Sequence, residues 1–269
     1  ALISGGSSGI GLALAKSLAR EGWNVSILAR DAAKLDSARV LIEKERRDLA
    51  QQIFAFAADV CDTPLLAQAI QKAMTALGSP SLAVASAGIV IPGTFETLPP
   101  GAHEQTMAVN YFGTLNLLRA VVPAMRAKGS GHVVLISSGA GLIGLYGYTA
   151  YGPTKFAVRG LAESLRSELK PAGVKVSIVY PPDTDTPQLH EERKTRPPAA
   201  EEIASGAPVL SAEAVAGAIL RGIKRGRFVI APGRDMWLLA RLHSLLAPAL
   251  NRYWFDRVVA KHHRSDSGK

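Results

Sequence analysis

The sequence predicts an α/β fold: a doubly wound parallel sheet of about seven strands with helices on both faces. Three observations predict it. Short apolar runs alternate with longer segments of helical periodicity from the N-terminus to about residue 180. The first apolar run passes directly into a glycine-rich loop that opens the first helix. The 269 residues are 48 % hydrophobic and 20 % charged, with mean hydropathy +0.14, which suits one large domain with an ample core.

Ala1-Leu-Ile-Ser4 is the end of a strand, so native residues are expected to precede Ala1. The loop Gly5-Gly-Ser-Ser-Gly9-Ile-Gly11 follows, and behind it Leu12, Ala15, Leu18 and Ala19 recur at helical spacing up to Gly22. Asn24 to Leu28 is a second strand, Arg30-Asp31 leads into a charged helix reaching about Ala50, and Ile53 to Ala57 is a third strand ending at Asp59-Val60. The alternation continues through helix Thr63 to Leu77, strand Ser81 to Ser86, helix His103 to Ala127, strand His132 to Ser137, helix Ala150 to Lys170 and strand Val174 to Val179. Strands and helices in this order form right-handed βαβ units around a parallel sheet. After Tyr180-Pro-Pro-Asp-Thr-Asp-Thr-Pro187 the pattern stops, and the charged, Pro- and Ala-rich stretch 184–210 reads as a long loop, expected to form a substrate lid rather than a disordered segment. Ser211 should cap a helix to Lys224, Phe228 to Ile230 a last strand, and 234–269 a basic, partly apolar helical extension broken at Pro248. The whole of 1–269 reads as a single catalytic domain without an internal repeat.

The net charge of +9 is uneven. From Arg221 to Lys269 there are eleven Lys or Arg and three Asp or Glu, so +8 of it lies there. The remaining body is nearly neutral, which argues against nucleic acid as a partner. The single cysteine, Cys61, cannot form an internal disulfide and no Cys/His cluster has ligand spacing, so neither structural zinc nor any other metal is expected. His262 and His263 read as a solvated tail. No cleavable signal peptide is visible, and no apolar run reaches the roughly 18 residues of a spanning helix. The expected location is cytoplasmic, including the cytosolic face of a membrane.

Gly5, Gly9 and Gly11 stand where a βαβ unit can turn tightly against a pyrophosphate and rest its charge on the next helix. The second strand ends in Ala29-Arg30, where an acidic residue would accept the ribose hydroxyls of NAD. A guanidinium there, with Lys34 one turn on, favours a 2′-phosphate and therefore NADPH/NADP+. Asp59 has two readings of equal weight, a hydrogen bond to adenine and a cap on the following turn.

Tyr151-Gly-Pro-Thr-Lys155 places a phenol and an ammonium about 40° apart on one helix face, near its N-terminus, where Pro153 is tolerated. Both the ammonium and the helix end favour phenolate, which would bring Tyr151 toward acid/base work. Ser138 lies thirteen residues earlier, just beyond the fifth strand, and Asn110 interrupts a helix in Met107-Ala-Val-Asn110-Tyr-Phe-Gly113. The glycine loop, Asn110, Ser138 and Tyr151 with Lys155, in this order, resemble the short-chain dehydrogenase/reductase family over nearly all of residues 1 to 187, which implies a Rossmann-like sheet. The resemblance implies a tetrad: Tyr151 as acid/base, Lys155 lowering its pKa and holding the nicotinamide ribose, Ser138 orienting the substrate oxygen, and Asn110 holding a proton-relaying water. It also implies cofactor contacts from Ser7, Ser8, Ile10, Val60, Ala87, Gly88, Pro181, Thr184 and Thr186.

Two departures stand out. The usual Asn-Ala-Gly after the fourth strand is Ser86-Ala-Gly88, and the usual Pro-Gly after the sixth is Pro181-Pro182. The Pro-Pro turn and the residues following Lys155 resemble a lipid-handling branch of the family, which implies NADPH-dependent reduction of a long-chain keto-sphingoid base and a homo-oligomer, dimer or tetramer. Another lipid or steroid ketone is the alternative substrate, and a non-catalytic cofactor sensor would have no need of the tetrad. Met236-Trp-Leu-Leu-Ala-Arg-Leu-His-Ser-Leu-Leu-Ala247 and Tyr253-Trp-Phe255, with Arg241, Arg252 and Arg257, suit either an interfacial helix on anionic lipid or a dimerisation or lid helix with a solvated basic face.

Overall fold

The computed structural model describes residues 1–267. Its elements run β1 (Leu2–Ser4), α1 (Gly9–Arg20), β2 (Val25–Ala29), α2 (Ala32–Glu43), β3 (Ile53–Ala57), α3 (Thr63–Leu77) and β4 (Leu82–Ala85). There follow α4 (Ala102–Met107), a π turn (Ala108–Phe112), α5 (Gly113–Lys128), β5 (Gly131–Ile136), α6 (Gly152–Leu169) and β6 (Val174–Val179). The chain closes with β7 (Thr184–Asp185), α7 (Pro187–Arg193), α8 (Pro198–Ala204), β8 (Leu210–Ser211), α9 (Ala212–Lys224), β9 (Val229–Ile230), α10 (Arg234–Leu250), a second π turn (Asn251–Phe255) and α11 (Asp256–Ser267).

Seven strands form one parallel sheet in the order β3-β2-β1-β4-β5-β6-β9. The order reverses between β1 and β4, and the carboxyl ends of β1, β4, β5 and β6 therefore open onto one crevice. Because helices cover both faces, central strands such as Leu-Ala-Val-Ala in β4 are apolar throughout rather than alternating. Leu14, Leu18, Leu35, Ile42, Val215 and Ile219 bring α1, α2 and α9 onto one face. Leu66, Ile70, Leu117, Val121, Val158 and Leu169 bring α3, α5 and α6 onto the other.

Five local expectations are corrected. The second helix ends at Glu43 rather than near Ala50. Side chains there bond backbone and compete with helical hydrogen bonds: Arg46 reaches the carbonyls of Glu43 and Gln51, and Gln51 donates to those of Ala19 and Trp23. The helix expected over His103 to Ala127 is interrupted by the π turn that carries Asn110. Pro248 does not break α10. One helical N–H is lost, but Leu239, Leu250 and Trp254 pack with Ile143, Ala199, Ile203 and Phe255, and this tertiary burial holds the helix together. The stretch after Pro187 is not an extended loop, since it contains α7 and α8 and a small parallel pair, β7 with β8. His262 is partly buried and bonds Glu202 Oε2 at 2.8 Å, so it is no solvated tail; His263 is exposed. The last two residues of the expected extension lie outside the described residues.

At the opposite end of β5, His132 Nε2 lies 2.7 Å from Ser177 Oγ, which donates its own proton to the Arg227 carbonyl at 2.5 Å. Ser177 must then accept, so His132 carries its proton on Nε2. Burial, aided by Lys175, lowers its pKa to about 4. The unfolded chain, with pKa about 6.5, binds the extra proton between these values. Stability therefore falls as pH drops from about 6.5 to 4, by roughly 3 kcal/mol. Urea midpoints at pH 7 and pH 4 should show that loss in the wild type and a smaller one in His132→Asn.

Candidate active site

The glycine loop joins β1 to α1 at the reversal point. Gly5 and Gly9 have φ of +69° and +52°, conformations that favour glycine. A Cβ on Gly5 would lie 2.7 Å from the Ala87 nitrogen, and one on Gly11 would lie 2.3 Å from the Gly5 carbonyl oxygen. The loop is thus pressed against Ala87 and folded onto its own helix. A Cβ on Gly9 would meet Thr186 Cγ2 at 3.1 Å, so the loop and Thr186 face each other across a narrow cradle. Gly5, Ser8, Gly9, Ile10, Ala87, Gly88, Pro181, Thr184 and Thr186 all line one cavity of about 460 Å³, whereas Ser7 and Gly11 do not.

Arg30 is exposed at the end of β2 and makes no ion pair with any described residue, as a receptor for a 2′-phosphate requires. Its charge also acts on the Cys61 thiol, which burial and Asp59 push upward. Lys34, by contrast, is 3.8 Å from Asp31 and fully on the surface. Asp59 Oδ1 accepts from the Cys61 nitrogen at 2.8 Å, so the turn cap is formed by one oxygen. The Val60 side chain is in the core and its carbonyl accepts from Asn116 Nδ2 at 3.0 Å, leaving the Val60 nitrogen for any cofactor contact. The cradle and the unpaired guanidinium fit a phosphorylated dinucleotide.

Ser138, Tyr151 and Lys155 converge on the same cavity. Lys155 is buried, donates to the Ile136 carbonyl at 3.1 Å and stands 5.4 Å from the Tyr151 ring centroid. A Cβ on Gly88 would lie 3.1 Å from Asn110 Oδ1 and 3.6 Å from Lys155 Nζ, so these two side chains meet over Gly88. Asn110 clamps the neighbouring backbone: Oδ1 accepts from the Ile89 nitrogen at 2.8 Å, and Nδ2 donates to the Ile89 carbonyl and Thr154 Oγ1. Both amide protons are committed, which leaves one Oδ1 lone pair for a water. Ser86 makes no side-chain hydrogen bond that replaces an asparagine there; Ser4 Oγ, between the Val84 carbonyl and the Ala87 nitrogen at 3.4 Å each, spans the gap instead.

The phenol is not drawn toward neutrality as expected. Burial pushes the Tyr151 pKa well up, the Ser138 hydroxyl opposes the rise, and Glu192 and Asp183 add to it. Desolvation also lowers Lys155 to about 8. In this buried setting the loss of water outweighs the attraction of a single ammonium over the ring face.

Past Tyr151 the cavity becomes apolar. Ile203 of α8, Met236, Leu239 and Leu246 of α10, and Trp254 and Phe255 of the second π turn form its wall. Gly206 fits flat against Trp254, whose Cη2 would be 2.1 Å from a Cβ there. Thr154, Ser4 and this wall were missed as site residues; for the wall, the apolar spacing of Met236, Leu239, Leu246 and Leu250 is the signal that could have found it.

The profile of the short chain dehydrogenase family matches residues 1–197. The chain is similar to mouse 3-ketodihydrosphingosine reductase, with 38 % identity over 248 residues, 92 % of this chain and 75 % of the relative. It is 37 % identical to 3-dehydrosphinganine reductase of zebrafish, with the same coverage. Among solved structures, a short-chain dehydrogenase from Sphingobium yanoikuyae in complex with NADPH superposes with a TM-score of 0.78 at 26 % identity, covering 94 % of each chain.

Proposed function

This chain belongs to the short chain dehydrogenase family, and we propose that it reduces the ketone of 3-ketodihydrosphingosine to dihydrosphingosine with NADPH as reductant. One observation carries the reading beyond the relatives: a single cavity leads from the glycine cradle, past Tyr151 and Ser138, to an apolar wall suited to an alkyl chain. NADPH, when bound, supplies the hydride. Ser138 and Tyr151 hold the carbonyl oxygen, and Tyr151 donates its proton as negative charge develops there. Burial of the phenol serves this direction, because the proton stays on Tyr151 until a strongly basic alkoxide oxygen forms. Lys155, 5.4 Å from the tyrosine ring centroid, holds the nicotinamide ribose in this reading, and Asn110 fixes the Gly88-Ile89 turn beside it. The segment 184–210 acts as the lid.

The deciding experiment is NADPH oxidation with 3-ketodihydrosphingosine beside a steroid ketone and a short aliphatic ketone. Turnover of the sphingoid ketone at the highest kcat/KM is expected; a clear preference for the steroid would replace the substrate assignment.

A second reading concerns the outer face of α10. Trp237, Leu242 and Leu245 are exposed there, with Arg241 over the Trp237 ring at 4.9 Å, and Arg252 and Arg257 flank the exposed ring of Tyr253. Among the described residues no helix is long and apolar enough to cross a membrane. The exposed apolar stripe with its arginines instead suits peripheral contact with anionic lipid. Flotation with vesicles containing phosphatidylserine at low salt should carry the protein upward and salt should release it; no flotation at low salt would remove this reading. The homo-oligomer implied by the family has exposed apolar surface in Phe112 and Phe156.

A further inference from the structure

We infer that Asp183 and Glu192 form a receptor for the ammonium group that the substrate carries on the carbon next to its ketone. The inference rests on the substrate reading above. A keto-sphingoid base is an α-amino ketone, so once its carbonyl oxygen is held by Tyr151 and Ser138 its nitrogen is fixed beside them. A cation placed in a largely apolar cavity needs charged or hydrogen-bonding partners there.

The cavity wall supplies carboxylates at that place. Asp183, directly after the Pro181-Pro182 turn, and Glu192 on α7 both line the cavity with Tyr151. Asp235 also lines it but is exposed to solvent on the first turn of α10. Behind the pair stands Arg196, whose side chain is 1 % exposed and which does not itself line the cavity. Its Nη1 bonds Asp183 Oδ2 at 2.8 Å and Glu201 Oε2 at 3.0 Å, while Nη2 bonds Glu192 Oε1 at 2.5 Å. The Tyr148 hydroxyl donates to that same Glu192 oxygen. Each carboxylate is therefore oriented by one oxygen, and Asp183 Oδ1 and Glu192 Oε2 accept no hydrogen bond from a described residue. Glu192 is nine-tenths buried, yet its Oε2 keeps some solvent access, so a donor entering the cavity can reach it.

Charge points the same way. Arg196 serves three carboxylates, and Arg193 pairs the outermost of them, Glu201, at 3.5 Å, so the charged groups Asp183, Glu192, Glu201, Arg193 and Arg196 keep a formal excess of one negative charge next to the reacting centre. Those charges act on Tyr151, where Glu192 and Asp183 both add to the rise in its pKa. An ammonium bound between them would offset that effect and ease proton release to the ketone oxygen. A ketone without the amine would leave it in place.

The test compares kcat/KM for 3-ketodihydrosphingosine with that for the 1-hydroxy-3-ketone of equal chain length lacking the 2-amino group. The wild type should prefer the amine by about 10- to 100-fold. Asp183→Asn and Glu192→Gln should each lower that ratio by about tenfold. Glu201→Gln touches the same guanidinium from outside the cavity and should leave the ratio within about twofold. A ratio is independent of how much of each variant is folded. Equal losses on both ketones in the two cavity variants would mean that the pair only latches the lid, and would overturn the inference. A wild type that reduces both ketones equally would overturn it while leaving the substrate reading intact, whereas one that reduces neither overturns that reading and this inference with it.

Discussion

Tyr151→Phe lowers kcat/KM for ketone reduction by about 10³-fold or more while NADPH affinity stays within a few-fold of the wild type. The hydroxyl is the only group removed. The ring keeps its packing beside Tyr148, at 6.1 Å between centroids, and its place under Lys155. The glycine cradle, Arg30 and Thr186 are untouched, so dinucleotide binding survives. What disappears is the proton donor at the carbonyl oxygen. Single-turnover NADPH oxidation measures the chemical step and fluorescence titration the affinity. Parallel loss of both would point to misfolding and defeat the assignment of Tyr151.

Arg30→Asp reverses the choice of nicotinamide cofactor. The guanidinium is exposed at the end of β2 with no carboxylate among the described residues to neutralise it. It can therefore give charge-assisted hydrogen bonds to a 2′-phosphate, each worth about 1.5 to 3 kcal/mol. An aspartate at the same position repels that phosphate and accepts from the free ribose hydroxyls of NADH. The ratio of kcat/KM for NADPH over NADH should fall by about 100-fold or more. Lys34 contributes less, because its ammonium already lies near Asp31 on the surface. An unchanged ratio in Arg30→Asp would remove the phosphate-binding role.

The sheet and the cofactor cradle were legible because their determinants are local. Apolar runs such as Leu-Ala-Val-Ala, and glycines at positive φ in a strand-to-helix turn, depend on backbone geometry and on burial on both faces. Tyr151 and Lys155 were legible for the same reason, since helix spacing alone brings them to one side. Asn110 was found, but its π turn was not, because a single polar residue does not reveal the extra residue in the helical ladder. Nor was it visible that burial would dominate the Tyr151 phenol. That result depends on how many distant groups exclude water from it.

The segment after Pro187 shows the division most clearly. By composition it is charged and rich in proline, and it reads as a loop. Arg196 gathers Asp183, Glu192 and Glu201 from separate turns of the chain, and α8 packs on Phe255 and Val258 from the far C-terminus. Glu192 and Glu201 are close to Arg196 in the chain, but Asp183 lies 13 residues before it and Phe255 and Val258 are far more distant from α8, so no local pattern encodes the whole assembly. The sequence by itself determined the doubly wound sheet, the glycine cradle, the tyrosine–lysine pair and the position of Arg30 at the end of β2, because helix period, strand burial and turn geometry act within a few residues. Only the tertiary structure decided the apolar wall, the carboxylates beside Tyr151 and the high proton affinity of its phenol, because desolvation and long-range ion pairing arise only when remote segments pack together.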